Sequence, residues 1–265
     1  MLFAVSALGS GLSAQELYVS TEPASNMPMN SIGLRLTSEL MSGTDERLRT
    51  IPEIMAGLAK NLMVHSSLYI SDVHQKSQKL EGFGFYAKYR FLSTDSLQRH
   101  FRLAAFARYS SVNNPTYTNE RMVNSTNTVR QVLDEINLEG DNSGILGGLI
   151  ATQLIHKLAL SGSVNYTRAF DNRGGFELMP EQSRNALAYT FSAGYLAYPK
   201  VYTSYEQPNL NIYLEFLGKT NLDKAQNFME VAPALQVILN SRTRIDVSKR
   251  FQLYGNMNRI TKNMC

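Results

Sequence analysis

The sequence predicts an all-β protein: a single antiparallel transmembrane β-barrel of about 12 strands, with short periplasmic turns and longer extracellular loops. Side chains alternate between apolar and polar over long segments, and loop lengths mostly alternate as well. The clearest segment is Leu158–Phe170, where Leu158, Leu160, Val164 and Tyr166 alternate with small or polar residues. A period of two indicates a strand with two different faces. A strand that crosses a bilayer needs about 9–11 residues, whereas strands of soluble proteins have about 5–6.

Composition agrees with this class. The chain has 265 residues and a mean hydropathy of -0.22, and it contains no run of about 18 apolar residues that could form a spanning helix. There is no Trp, but 14 Tyr and 12 Phe are available for interfacial girdles. The net charge of +4 is modest, and no basic cluster interleaved with aromatic residues suggests nucleic-acid binding. The sequence also lacks a P-loop and a dinucleotide fingerprint.

The N-terminal residues predict export. Residues 1–14 are small and apolar and resemble a signal peptide remnant, with cleavage after Ala14. The alternative is an ordinary buried N-terminal segment. Residues 15–29 are then expected to form a periplasmic N-terminal segment, and residues 30–265 the barrel.

Twelve segments carry a strand pattern, some of them weakly. They are Asn30–Met41, Thr50–Ala59, Leu62–Asp72, Lys79–Leu92, Gln98–Ser111, Gly144–His156, Leu158–Phe170, Asn185–Tyr198, Gln207–Lys219, Phe228–Asn240, Arg242–Phe251 and Asn256–Cys265.

Tight turns are predicted near Lys60, His156 and Ser241. If three residues form each turn, the apolar phase continues from one strand to the next, because directly opposed residues share a face. The opposed pairs would be Leu58 with Leu62, Leu154 with Leu158, and Leu239 with Thr243.

The longest loop, residues 112–143, is expected to be extracellular or folded into the lumen. Val129, Val132, Leu133 and Ile136 recur in it at helical spacing, which predicts a short amphipathic helix. That helix would either cap or enter the lumen, or pack on neighbouring loops.

The alternation also predicts which charged side chains face inward, because a charge on the lipid face costs roughly 2–4 kcal/mol near the midplane. The inward list has eight basic and five acidic residues: Arg35, Lys88, Arg90, Arg102, Arg108, Lys219, Arg242, Arg244, Glu39, Glu53, Glu215, Glu230 and Asp246. A basic lumen would favour anionic solutes. The alternative is a ladder of ion pairs that fills a closed interior. The residues expected to line the lumen are Arg35, Lys88, Arg90, Arg102, Arg108, Glu215, Glu230 and Arg244.

One constellation has catalytic potential. His65 and Ser67 share the inward face of one predicted strand, and the turn register puts Met55 opposite His65 and Glu53 opposite Ser67. A serine, a histidine and a carboxylate on one face could form an acyl hydrolase site. The alternative is a set of ordinary polar lumen residues. The four histidines show no paired spacing, so neither a metal site nor a cofactor is predicted.

Three segments resemble a known family. They are Glu22–Pro28 (EPASNMP), Pro52–His65 (PEIMAGLAKNLMVH) and Gly255–Arg259 (GNMNR). They resemble stretches of Bacteroidota outer-membrane proteins that are loosely labelled transporters and are similar to phenol-degradation meta-pathway barrels. The resemblance implies a barrel in the bacterial outer membrane. It implies no substrate and no site residues.

The function expected from the sequence is a passive channel or transporter-like protein for small solutes, anionic ones if the inward basic residues line an open lumen. Two alternatives stay open: a membrane-embedded acyl hydrolase that uses Ser67, His65 and Glu53, and a structural or partner-binding subunit whose barrel is filled. The expected partners are outer-membrane lipid and lipopolysaccharide, together with other outer-membrane proteins for the last alternative, and no nucleic acid.

Overall fold

The computed structural model describes residues 3–8, 18–41, 47–74, 77–96, 99–124, 127–199 and 207–260, with the backbone alone for 3–8 and 118–131. These residues contain 15 β-strands and no α-helix. The strands are β1 (Phe3–Leu8), β2 (Ile32–Met41), β3 (Arg47–Ala59), β4 (Leu62–Ser71), β5 (Lys79–Ser96), β6 (Arg99–Val112), β7 (Tyr117–Asn124), β8 (Asn127–Val132), β9 (Ser143–Ile155), β10 (Leu158–Phe170), β11 (Asn185–Tyr198), β12 (Asn209–Asn221), β13 (Asn227–Leu239), β14 (Thr243–Ser248) and β15 (Phe251–Gly255).

Thirteen of these strands form one antiparallel sheet, and β7 and β8 form a separate hairpin. Most consecutive strands pair with each other, but β6 pairs with β9 across the β7–β8 hairpin, β15 pairs with β13, and β1 pairs with β14. The predicted all-β antiparallel class is therefore confirmed, and β10 has the predicted bounds. In the described part of the chain, no helix is long and apolar enough to cross a membrane.

The two faces of the sheet have opposite chemistry. Large apolar side chains on one face are open to the outside, as at Ile32, which is 67% exposed. Charged side chains on the other face are buried, as at Lys88, which is 1% exposed. Because successive side chains of a strand point to opposite faces, the period-two pattern of the sequence produces this division directly.

The sheet curls around two stretches of chain, which we call the inner segment (residues 18–31) and the inner loop (residues 133–142). Ser20 of the inner segment bonds to Glu215 on β12, and Glu22, two residues later, bonds to Arg35 on β2. The inner loop likewise reaches both β3, at Arg49, and β12, at Lys219. Strands that are distant in the sheet therefore approach each other across the interior, which is consistent with a β-barrel.

The structure corrects two predicted elements. The helix expected around residues 129–136 is wrong, because residues 127–132 form β8; the β-branched residues of that stretch suit a strand. The final predicted strand, Asn256–Cys265, is wrong for residues 256–260, which have no strand conformation. Its remaining residues lie outside the described part of the chain.

The predicted turn registers had mixed outcomes. Leu239 lies opposite Thr243 as predicted. Leu62 instead lies opposite Ala59, next to a register shift, and Leu158 lies opposite Ile155, because residues 156–157 alone form that turn. His156 accommodates this tight turn with a φ of 54°.

The N-terminal predictions stay predictions. Phe3–Leu8 forms β1, which pairs with β2 and with β14, whereas Ala14 and its predicted cleavage site lie outside the described residues. Of the expected periplasmic segment, residues 18–29 lie against inward-facing side chains of the sheet.

Candidate functional site

The inner segment is held by an ion-pair cluster around Glu22. Its carboxylate accepts a hydrogen bond from Arg35 Nη1 at 2.8 Å and lies 3.5 Å from Lys88 Nζ. Arg35 also donates from Nε to Glu53 at 2.5 Å. Two cations on different strands thus converge on one carboxylate of the inner segment.

Backbone amides of the inner segment bind inward-facing side chains as well. Glu215 accepts hydrogen bonds from the amides of Val19 and Ser20, at 3.0 and 2.9 Å. The amide of Ala24 donates to Thr152 Oγ1 at 2.9 Å. A segment without secondary structure must satisfy its buried amides through such partners. The strand side chains therefore accept the backbone hydrogen bonds that a neighbouring strand would otherwise accept.

Gly57 allows the inner segment to dock on β3. A Cβ atom at residue 57 would lie 2.0 Å from the carbonyl oxygen of Pro28. The amide of Asn30 donates to the carbonyl of Gly57 at 2.8 Å, and the amide of Gly57 donates to the carbonyl of Ser31 at 2.9 Å. Any larger residue at position 57 would displace the segment where it enters β2.

The inner loop is held by a buried ion pair. Arg49 Nη2 and Nη1 donate to the two carboxylate oxygens of Asp141, at 2.5 and 3.3 Å. His74 Nε2 lies 3.1 Å from the same carboxylate. Gly140, with a φ of 117°, lets the loop backbone approach this guanidinium, because a Cβ there would lie 2.8 Å from Arg49 Nε.

Strand side chains also bind the carbonyl groups of the inner loop. Lys219 Nζ donates to the carbonyl of Ile136 at 2.8 Å, and Asn221 donates to the carbonyl of Asp134 at 2.8 Å. Ser110 donates to the carbonyl of Leu138. Further ion pairs join Lys219 to Glu135 and Arg108 to Glu139.

Cationic partners lower the pKa values of the two central carboxylates, Glu22 and Asp141. Burial acts to raise the pKa of Glu22, but the charges of Arg35 and Lys88 outweigh it and hold that pKa below its usual range. Burial likewise acts to raise the pKa of Asp141, and the Arg49 charge together with the hydrogen bond to His74 holds it below its usual range. Both carboxylates are therefore ionised at neutral pH.

A cavity of about 240 Å³ has walls from the inner segment, the inner loop and the strands. Apolar groups such as Phe106, Ile150 and Leu217 also line it. Its lining holds five carboxylates and three basic groups: Glu22, Glu39, Glu135, Glu139, Glu230, Arg108, Lys219 and Arg250. Acidic groups thus outnumber basic groups in the cavity lining, whereas basic residues outnumber acidic ones among the charged residues predicted to face inward.

The residues predicted to line the lumen fall into three groups. Arg108 and Glu230 line the cavity. Four others bind the inner segment: Arg35, Lys88, Arg102 and Glu215. The remaining two serve other contacts: Arg90 donates to the carbonyl of Lys60 at the β3–β4 turn, and Arg244 pairs with Asp246 at 2.7 Å. Arg242, also placed inward by the alternation, is exposed in the turn after β13.

The predicted hydrolase constellation shares one face but is not connected. The register is as predicted, with Met55 opposite His65 and Glu53 opposite Ser67. Ser67 Oγ donates to the carbonyl of Gly84 at 3.4 Å, and neither ring nitrogen of His65 has a hydrogen-bond partner. Glu53 lies 3.7 Å from His65 Nδ1 and binds Arg35 instead. This arrangement does not link a nucleophile to a base.

Sequence reasoning missed Arg49, Glu22 and Asp141. Arg49 lies one residue before the predicted strand Thr50–Ala59, and extending the alternation backwards from Ile51 and Glu53 would have placed it inward. Glu22 and Asp141 lie in segments without periodicity, so no local pattern marks them. In the described part of the chain, no three His, Cys, Asp or Glu side chains are grouped so that they could hold a metal ion.

Neither a comparison with protein-family models nor one with characterised protein sequences finds a match to this chain.

Proposed function

We propose that the curled sheet is a closed transmembrane β-barrel of about 12 strands in the outer membrane of a Gram-negative cell. The observation that supports it best is the apolar outer face: the long strands of the sheet expose large apolar side chains, including Leu34, Ile54, Phe85, Leu149, Phe191 and Leu235. Soluble monomers rarely expose contiguous apolar patches beyond a few hundred Å². Outer-membrane lipid and lipopolysaccharide would cover this face.

Strand pairing supports closure. β12 pairs with β13, β13 with β14, β14 with β1, and β1 with β2. β14 and β15 pair with successive parts of β13, so they occupy one strand position. A closed barrel leaves no unpaired edge in the hydrocarbon layer, which is what a bilayer requires. The resemblance of residues 22–28, 52–65 and 255–259 to Bacteroidota outer-membrane proteins points the same way.

A matched pair of leucines tests the membrane proposal. Leu214, in the middle of β12, and Leu222, in the following loop, are both exposed in the isolated protein. In a bilayer, Leu214→Arg should cost roughly 2–4 kcal/mol of folding free energy, and Leu222→Arg should cost little. Urea unfolding in lipid vesicles measures both. Equal, small costs would count against a lipid-facing β12.

Within this barrel, we propose passage of a small polar solute through the internal cavity, with the inner segment as the gate. The cavity supports this role because both the inner segment and the inner loop line it. The anchors of the inner segment, centred on Glu22, keep the passage narrow until the segment moves. A wide, permanently open pore is not what this interior supports.

Conductance in planar bilayers tests the gate. The wild-type protein should conduct weakly or intermittently. Glu22→Gln removes the charge that binds Arg35 and Lys88, and it should therefore raise the open fraction several-fold. Glu181→Gln, which changes an exposed loop carboxylate, should behave as wild type. If all three proteins stay silent at every voltage, the passage proposal fails, and the filled-barrel alternative with a structural or partner-binding role replaces it.

A further inference from the structure

We propose that the internal cavity binds its solute through an ammonium group and that Glu39 is the carboxylate that receives it. This inference rests on the proposed entry of a small solute into the cavity, and it adds the chemical class of that solute. The first support is the lining charge described above, in which carboxylates outnumber basic groups. Arg35 and Lys88 neutralise Glu22 and Arg259 neutralises Glu230 from outside the lining, so the attraction for a cation is local to the carboxylate that has no such partner.

Glu39 is the second and independent support. It is 5% exposed and lines the cavity. Its carboxylate makes no hydrogen bond and no salt bridge with any residue that the structure describes, whereas Glu22, Glu135, Glu139 and Glu230 each have a cationic partner. A buried carboxylate without a partner is costly to a folded protein, so its position calls for a ligand.

The register explains why Glu39 is left without a partner. Arg49 lies directly opposite Glu39 across the β2–β3 ladder, and it is the natural cross-strand partner. Arg49 instead directs its two terminal nitrogens to Asp141 of the inner loop and its Nε towards Glu81, at 3.8 Å. The inner loop thus takes the cation and leaves a carboxylate at the cavity wall.

Two further oxygen atoms in the same lining have unused hydrogen-bonding capacity. Tyr86 Oη and Glu230 Oε2 are buried without a hydrogen-bond partner. An ammonium group has three donors and no acceptor, so carboxylate and phenol oxygens suit it. Arg250 is a basic group in the same lining, near enough to Glu39 and Glu230 for its charge to act on both carboxylates, and an ammonium group bound at Glu39 would have to displace it from there.

Two four-carbon probes of opposite charge test the proposal: putrescine, a diamine, and succinate, a dicarboxylate. The full chain, folded in detergent micelles, is titrated with each by calorimetry. Putrescine should bind, and succinate should bind at least tenfold more weakly. Glu39→Gln should weaken putrescine binding about tenfold or more, because a charge-assisted hydrogen bond is lost. Glu81→Gln, which changes a buried carboxylate near Arg49 but outside the lining, should bind putrescine like wild type.

Folding does not confound this test. Glu39→Gln removes a buried charge that has no partner, so it should fold at least as well as wild type. Equal binding of the two probes, absence of putrescine binding, or undiminished binding by folded Glu39→Gln would each overturn the proposal. Putrescine binding that depends on Glu39 in a protein that never conducts would support the site and remove only the passage function. Conduction without putrescine binding would support the passage function and overturn the ammonium site.

Discussion

The inner segment and the inner loop occupy the same interior, but their central ion pairs differ in exposure. Glu22 retains 24% of its side-chain exposure between Arg35 and Lys88. Asp141 retains 6%, and its partner Arg49 none. Charges that water reaches are screened by salt, whereas buried pairs are screened much less. This difference supports the proposal that the inner loop is a fixed wall of the cavity and that the inner segment is the part that is released.

Apolar contacts also attach both stretches to the sheet. The inner loop joins β8 to β9, and residues at its two ends, Leu133 and Asn142, lie next to these strands. Ile136 and Leu138 pack with Ala169, Leu178 and Ala186 in an apolar cluster. The inner segment has apolar contacts as well: Met27 packs on Met55 and Met63, Tyr18 packs with Ala159 and Tyr213, and Ala24 packs with Ala104 and Ile150. What distinguishes the inner segment is its central ion pair, which water reaches and which a change in charge can weaken.

The largest expected effect is at the buried pair. Asp141→Asn removes the carboxylate that binds both terminal nitrogens of Arg49 and leaves only the longer contact with Glu81, at 3.8 Å, so it should lower the free energy of unfolding by about 3–5 kcal/mol. Glu22→Gln, at the more exposed cluster, should cost less, about 1–3 kcal/mol. Urea unfolding in vesicles, followed by tyrosine fluorescence, compares the two. The opposite order would break the distinction between a fixed inner loop and a releasable inner segment.

A double substitution serves as the control for the buried pair. Arg49→Met combined with Asp141→Leu removes both charges of the closest pair together, and the remaining carboxylate, Glu81, loses only a contact of 3.8 Å. The double variant should lose less stability than Asp141→Asn alone. A greater loss would show that the pair is needed for reasons other than charge compensation.

A smaller effect is expected from pH. The pKa values of Glu22 and Asp141 are both lowered in the folded protein, so their stabilising contribution is complete above the unfolded carboxyl pKa of about 4 and is lost as the pH falls below it. The contribution of these two carboxylates to the urea midpoint should be steady between pH 7 and 5 and should fall towards pH 3. Asp141→Asn should show a shallower drop, since one of the two groups is gone. An unchanged slope would contradict the role given to Asp141.

Much of the sheet could be predicted because its signal is local. The alternation at Leu158–Phe170 predicts the bounds of β10, and the inward position of Lys88, Glu215 and Glu230 follows from the same period. The weakly periodic segment Gly144–His156 also forms a strand, β9 (Ser143–Ile155), but the helix expected near Val129 is wrong. There, helical spacing over a few residues competed with β-branched composition, and a hairpin formed.

The sequence by itself determined which face of each strand is apolar and which is charged, because the side-chain period of a strand depends only on neighbouring residues. Only the tertiary structure decided what those inward charges do. Glu215 binds the amide of Ser20, 195 residues away, and Lys219 binds Glu135, 84 residues away. Arg49 takes Asp141 rather than Glu39, which lies opposite it in the sheet. Partners of this kind are selected by the path of two stretches without periodicity through the interior, and no local pattern encodes that path.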